Sequence, residues 1–118
     1  MAESGYKIGE IAERTGISLP TLRHYDSVGL VSPSHRSLGG FRLYSEEDLH
    51  RILLVRRMKP LGFTLEDMRS FLEAANSSTP AARETVARVQ LEARTRYEKL
   101  SKQLAYAEEF LDIVDNLA

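Results

Sequence analysis

Apolar residues recur along most of the chain at three- and four-residue intervals, with breaks at Gly16, at Gly29, around Pro60 and Gly62, and across Asn76–Thr79. The spacing predicts a first helix over Ile8–Arg14, with Ile8, Ile11 and Ala12 on one face. Gly16 suits the left-handed position just past its end. Ser18 is a good N-cap for a second helix, which tolerates Pro20 in its first turn and runs to about Val28 before Gly29 stops it. Two short helices joined by a tight glycine-containing turn describe a helix-turn-helix. Leu30-Val31 and Phe41–Tyr44 then read as two short strands around a glycine-containing loop. Ser45 and the acids after it start a third helix with Leu49, Ile52, Leu53 and Met58 inward. Thr64 caps a fourth, whose inner face is Leu65, Met68, Phe71 and Leu72.

After Pro80 the chain contains no glycine or proline up to Ala118. Val86, Ala93, Leu100, Ala107 and Val114 fall seven residues apart. Gln90, Tyr97, Leu104, Leu111 and Ala118 form a companion row, so the segment carries a heptad seam. Tyr106, Phe110, Ile113 and Leu117 widen the apolar face near the end. The seam extends further than a small domain could cover, which predicts an antiparallel coiled coil with a second copy and hence a homodimer. Aromatics at this spacing read as core rather than as the lining of a ligand pocket, and no pattern identifies a small-molecule effector. The fold expected is mainly α: a winged helix-turn-helix domain followed by a long C-terminal antiparallel coiled-coil dimerisation helix.

On a helical wheel of the second helix, Leu22 and Tyr25 share one side and Pro20, Arg23, His24 and Ser27 the other. In a helix-turn-helix the first side packs on the preceding helix and the second faces the DNA major groove. Arg23 can bond a phosphate or a guanine edge, and His24 a base or a phosphate. The hairpin becomes a wing whose tip carries His35 and Arg36 and whose return strand carries Arg42 and Tyr44. All four are suited to phosphate contacts.

Charge sharpens this picture although the 118-residue chain carries a net charge of only −1. Residues 1–60 hold nine Lys/Arg against seven Asp/Glu, and the acids predominate afterwards. From Leu49 to Leu65 lie Arg51, Arg56, Arg57 and Lys59 with no acid among them, a local basic run. There is no cysteine, so no disulfide, thiolate metal site or thiol sensor. The three histidines, His24, His35 and His50, form no metal-spaced pair, and no nucleophile elbow, phosphate loop or paired-carboxylate site appears. An enzyme is not expected, nor any metal or cofactor. No apolar run is long enough to cross a bilayer and the N-terminus lacks the regions of a signal peptide, so no membrane is expected as a partner and the expected location is cytoplasmic.

The order of these features resembles the mercury-resistance-regulator (MerR) family of bacterial transcription factors. IGEIAERTGIS (Ile8–Ser18), TLRHYDSVGLVSP (Thr21–Pro33), GGFRLYSEEDLHRI (Gly39–Ile52) and RRMKPLGFTLEDM (Arg56–Met68) carry the resemblance. It covers residues 6–75, the DNA-binding domain, while residues 80–118 match as a dimerisation helix by architecture. The resemblance implies a homodimer on a pseudo-palindromic double-stranded promoter, which it distorts so that RNA polymerase can use it. Arg23 and Tyr25 would hold the DNA backbone and His24 would lie in the groove, where many members carry a second tyrosine. Arg36 and Arg42 would grip phosphate, Tyr44 would close the wing, and Ser18 and Thr21 would touch the backbone. The dimer would be held through Val86, Ala93, Tyr97, Leu100, Leu104, Ala107, Leu111 and Val114. The alternative is a MerR-like protein-interaction module of the chaperone-modulator type, which should lack the basic residues at Arg23, Arg36 and Arg42. Metal- and redox-sensing relatives carry cysteines, and drug-sensing relatives add a C-terminal ligand domain. This chain is therefore an effector-free member, a regulator switched by a partner protein, or part of a longer one.

Overall fold

The computed structural model describes residues 5–118. The helices are α1 (Ile8–Thr15), α2 (Leu19–Ser27), α3 (Glu46–Met58), α4 (Leu65–Ala75) and α5 (Pro80–Leu117). A 3-10 turn, Lys59–Leu61, follows α3, and the two strands β1 (His35–Arg36) and β2 (Arg42–Leu43) lie between α2 and α3. The fold is mainly α, with the wing as its one hairpin among the described residues. The chain divides into two compact units, one ending at Leu72 and the other running from Glu73 to Ala118.

In the first unit α1 packs on α2 and α3. Its core holds Ile11, Leu22, Tyr25, Leu43, Tyr44, Ile52 and Val55, each at most 4% exposed. Local chemistry sets the helix ends. Gly16 adopts φ 73° and donates its amide to the Ala12 carbonyl at 2.9 Å, closing α1 in a conformation that L side chains resist. Ser18 accepts from the Thr21 amide at 3.3 Å and opens α2. The inward stripe of α3 differs from expectation. Val55 is buried and Leu53 only half-buried, because the stripe runs at three-residue spacing through Leu49, Ile52, Val55 and Met58. Asp48 lies at the head of that stripe, 1% exposed.

The wing also differs. Leu30 and Val31 were expected to form its first strand, yet both are core residues and both amides donate to the Tyr25 carbonyl, at 2.8 and 3.4 Å. With those amides used to finish α2, and with Pro33 lacking one, no ladder can form there. The hairpin forms later, pairing His35 with Leu43 and Arg36 with Arg42. His35 and Arg36 are therefore strand residues rather than the tip. The turn is Ser37–Phe41, where the Ser37 hydroxyl accepts from the Phe41 amide at 3.0 Å and Gly40 takes φ 84°. An addition came from the start of the chain: Tyr6 and Tyr44 exchange backbone hydrogen bonds at 2.8 and 2.7 Å, extending the hairpin by one bridge.

Asp48 pins the base of this wing. Its Oδ2 accepts from the Ser34 hydroxyl at 2.6 Å, the Ser34 amide at 3.1 Å and the Ser45 amide at 2.8 Å. Ser34 immediately precedes β1 and Ser45 follows the Tyr44 bridge, so one carboxylate grips both ends of the hairpin. Arg51 pairs with the other oxygen at 3.4 Å. Burial alone pushes the Asp48 carboxyl upward, but the donors from Ser34 and Ser45 prevail and hold it below the ordinary 3.8.

The second unit is dominated by α5. Thr79 caps it by accepting from the Ala82 amide at 3.1 Å. Its 38 residues make a helix about 57 Å long. Only Ala82 and Val89 are buried along it. Val86 and Ala93 are half-buried, and Tyr97, Leu100, Leu104, Ala107, Leu111 and Val114 are exposed.

Asp48→Asn is expected to lower the free energy of unfolding by about 1.5–3 kcal/mol, read by urea denaturation at neutral pH. Because the folded carboxyl titrates below 3.8, its stabilisation is fully present above that value and is lost as pH falls through the folded value. Wild type should therefore lose stability on acidification more steeply than the variant. Equal acid slopes in the two proteins would exclude this role.

Candidate nucleic-acid interface

The outer side of α2 emerges as the wheel placed it. Arg23 and His24 are exposed, while Leu22 and Tyr25 are 1% and 4% exposed. Ser18 and Thr21 sit at the start of the helix, their hydroxyls 3.0 Å apart in a hydrogen bond, so both already serve the cap. Tyr25 contributes its ring to the core, which leaves only its hydroxyl end for the surface. Tyr44, expected among the phosphate contacts, is 2% exposed, and burial is the first cause that raises its hydroxyl above the ordinary tyrosine range. That expectation is corrected: Tyr44 fastens the wing through its ring and its bridge to Tyr6, and does not reach out from it.

The wing arginines have partners of their own. Arg36 Nη1 donates to the Gly40 carbonyl at 3.0 Å, stiffening the turn. Arg42 forms a two-pronged pair with Asp26 of α2, Nη1 to Oδ2 at 2.8 Å and Nη2 to Oδ1 at 3.1 Å. Half of the Arg42 side chain remains exposed. Burial pushes the Asp26 carboxyl up, but the hydrogen bonds and positive charge of Arg42 help bring it below the ordinary value. His35 is exposed on β1, and Leu38 at the tip is 95% exposed.

The basic run on α3 divides by task. Arg51 pairs with Asp48, and Arg56 Nη1 donates to the Thr15 carbonyl at 2.8 Å, at the C-terminus of α1. From α4, Arg69 donates to the Val28 carbonyl at the C-terminus of α2 and pairs with Glu66 at 3.2 Å. Each helix of the helix-turn-helix thus has a guanidinium on its terminal carbonyls, where the helix dipole favours a cation. Arg57 and Lys59 are the exposed remainder of the run. Behind the wing, a cleft of about 690 Å³ is lined by Tyr6, Ser34, His35, Glu46 and Glu47 among others. Its carboxylates make it unsuited to phosphate. Tyr6 donates its hydroxyl to Glu46 at 2.6 Å, and that bond is the first cause that raises the Tyr6 hydroxyl above the ordinary range. Among the described residues no group of three His, Cys, Asp or Glu could hold a metal ion, and no helix is long and apolar enough to cross a membrane.

The geometry of an exposed basic helix face beside a hairpin agrees with the comparisons to known proteins. The family model described as MerR HTH family regulatory protein matches residues 6–75. The chain belongs to this family. It is 37% identical over 87 residues to the nodulation protein NolA of Bradyrhizobium elkanii, covering 74% of this chain and 40% of that protein. The chain spans about two fifths of the length of the curated relatives it matches, at 40%, 38% and 37% for the first three. Among solved structures it is similar to MtaN, the N-terminus of the Bacillus subtilis multidrug transporter activator, with a TM-score of 0.60 at 31% identity over 94% of this chain and 95% of that one. It is also similar to HiNmlR, a MerR family regulator lacking the sensor domain and bound to promoter DNA. There the TM-score is 0.67 at 27% identity, covering 94% of this chain and 85% of that one.

Within the MerR fold the surface positions Arg23, His24 and Arg42 fall on one helix and one strand joined by a salt bridge. Sequence reasoning missed the residues that do the joining. Asp26 lies three residues past Arg23, one turn along the same flank, but its partner is 16 residues away on a strand whose register the pattern does not reveal. Asp48 was visible only as the last residue of the Ser45–Asp48 capping box.

Replacing Arg56 by Met should cost about 1–2 kcal/mol of stability by leaving the carbonyl end of α1 without its cation, with helix content by circular dichroism unchanged. A variant as stable as wild type would show that the Thr15 carbonyl is equally well served by water.

Proposed function

We propose that this chain is a sequence-specific DNA-binding transcriptional regulator. It binds double-stranded promoter DNA as a homodimer and distorts it to alter its use by RNA polymerase in the cytoplasm. Residues 6–75 form the DNA-binding domain and residues 80–118 the dimerisation helix. The observation that carries the reading is the exposed Arg23–His24 face of α2 with Arg42 of the wing tied to the same helix. A helix face of this kind fits the major groove and a basic hairpin fits the flanking phosphates. The promoter DNA in the HiNmlR structure supports the same reading for this chain. In the proposed complex Arg23 and His24 meet base edges or phosphate, Ser18 and Thr21 contribute at the start of α2, the Tyr25 hydroxyl touches the backbone, and His35, Arg36 and Arg42 act from the wing. The role is binding rather than catalysis.

The exposed seam of α5 supports the homodimer, and one antiparallel register suits both its residue sizes and its charges. With Leu100 opposite Leu104 of the second copy, Tyr97 meets Ala107 and Ala93 meets Leu111, so each small residue faces a large one. Gln90 then meets Val114, and Val86 meets Ala118. The same register brings Arg94 near Glu108 of the second copy, twice per dimer, a complementary pair at the edge of the seam.

Two measurements test this. Duplexes enriched from a randomised pool by the wild-type protein should bind tightly in fluorescence anisotropy, with affinity falling steeply as salt rises, and a scrambled duplex should bind weakly. Arg23→Ala should cost about 1–3 kcal/mol on the enriched duplex and remain folded. Failure to enrich any sequence would sink the regulator reading in favour of a protein-interaction module. For the dimer, Arg94→Glu should weaken self-association in sedimentation equilibrium, and adding Glu108→Arg should restore it. Unchanged association in the single variant would exclude this register.

A further inference from the structure

The wing contains more geometry than a short hairpin can hold by itself. Each strand is two residues long, and an isolated pair of this length has no stable direction of its own. Asp48 fixes the base of the hairpin. Beyond that base, the tie between the wing and α2 is the pair of Arg42 with Asp26, whose two bonds of 2.8 and 3.1 Å match the planar fork of the guanidinium to the carboxylate. Asp26 lies one turn after Arg23, where a carboxylate would repel the phosphates that Arg23 and Arg42 are to meet.

We propose that Asp26 is a positioning residue for DNA recognition, holding the Arg42 guanidinium in one orientation so that the wing and α2 meet the duplex as a single rigid surface. The inference rests on the DNA-binding reading above. Arginine has five N–H donors, and the pair with Asp26 occupies two. The others stay available on a side chain that is half exposed. Arg42 so held acts as an oriented donor to a particular phosphate rather than as a mobile cation that any phosphate satisfies. Its charge is already balanced by Asp26, so it adds little to sequence-independent attraction. Discrimination thus comes from fit, because a duplex whose backbone does not lie where Arg42 points loses the bond.

The test compares Asp26→Asn with wild type on the enriched and the scrambled duplex, repeats the comparison in an Arg42→Ala background, and measures the heteronuclear NOE of the wing amides in the free protein. The variant is expected to bind the scrambled duplex more tightly, with a salt slope steeper by about one because a cation has been released. The ratio of the two Kd values should fall about tenfold. In the Arg42→Ala background the same change should leave that ratio unaffected, and in the free variant the NOE over residues 36–42 should drop. A carboxylate that only stabilised the fold would weaken both duplexes together and leave their ratio unchanged. An unchanged ratio, an equal fall in the Arg42→Ala background, or an equally ordered wing in the free variant would each overturn the proposal while leaving the regulator reading intact. A wild type that discriminates no duplex would overturn both.

Discussion

The carboxylate of Asp48 accepts hydrogen bonds from both ends of the wing, and the base and register of the hairpin follow from that. A β-hairpin with two residues per strand cannot choose its own place, and its register is normally open to slippage. Here Ser34 before the hairpin and Ser45 after it are drawn to one buried oxygen at 2.6–3.1 Å. The same residue completes the capping box of α3, its amide donating to the Ser45 hydroxyl at 3.0 Å. Helix start and wing base are therefore one structural event. His35 and Arg36 lie on β1 because Ser34 is fixed, and Arg42 comes to face Asp26 because its register partner, Arg36, is fixed in turn. The usual cost of a buried carboxylate is met by three donors and an arginine, so the group stays charged where an unpaired acid would be forced neutral.

Around this anchor the arginines take separate tasks that net charge does not reveal. Arg51 completes the Asp48 cluster, while Arg56 and Arg69 serve the carbonyl ends of α1 and α2. Arg69 serves two acceptors at once, Glu66 and the Val28 carbonyl, with donors in fixed directions that lysine does not offer. Half of a basic stretch that looks like a nucleic-acid patch is thus internal fastening. On α2, the wing and that stretch the cations left for a duplex are few and specifically placed: Arg23, Arg57 and Lys59 exposed, and Arg36 and Arg42 held on the wing. Recognition by a few oriented groups suits selectivity better than raw affinity, since unselective binding grows with every mobile cation near the backbone.

The helices were legible in the sequence because their signals are local. Gly16 ends α1, Ser18 opens α2, the Ser45 capping box opens α3 and Thr79 opens α5, each within a few residues of the bond it makes. The outward face of α2 followed from the same periodicity. The wing was legible only as a hairpin, with its first strand placed too early. Leu30 and Val31 have the apolar character of a strand, but the Tyr25 carbonyl claims their amides, and that competition cannot be read from residue type. Tyr44 looked like a surface tyrosine because alternation on so short a strand does not say which side is covered. Its bridge to Tyr6 spans 38 positions. The Asp26–Arg42 pair and the arginine caps are likewise tertiary contacts between residues at least 16 apart, and each depends on a register fixed elsewhere.

The seam of α5 raises a different constraint. A helix of 38 residues has a local stability set by propensity and by neighbouring charges. Arg88–Glu92 and Arg96–Glu92 at 3.3 and 3.5 Å contribute only a few tenths of a kcal/mol each. Ala82 and Val89, its buried residues, both lie in its first third. From Tyr97 onward the helix holds large apolar side chains in water and has nothing on its own surface to cover them. Burying each such side chain is worth roughly 1.5–3 kcal/mol, far more than the intrahelical charges supply. In the proposed regulator the distal half of α5 and the dimer must therefore gain stability together. Dissociation and fraying of that half become the same step, and the stability of α5 depends on protein concentration as well as on sequence. Two copies of the α2 face then reach a promoter as a pair only when the seam is closed, so the long helix controls how firmly the short one can read.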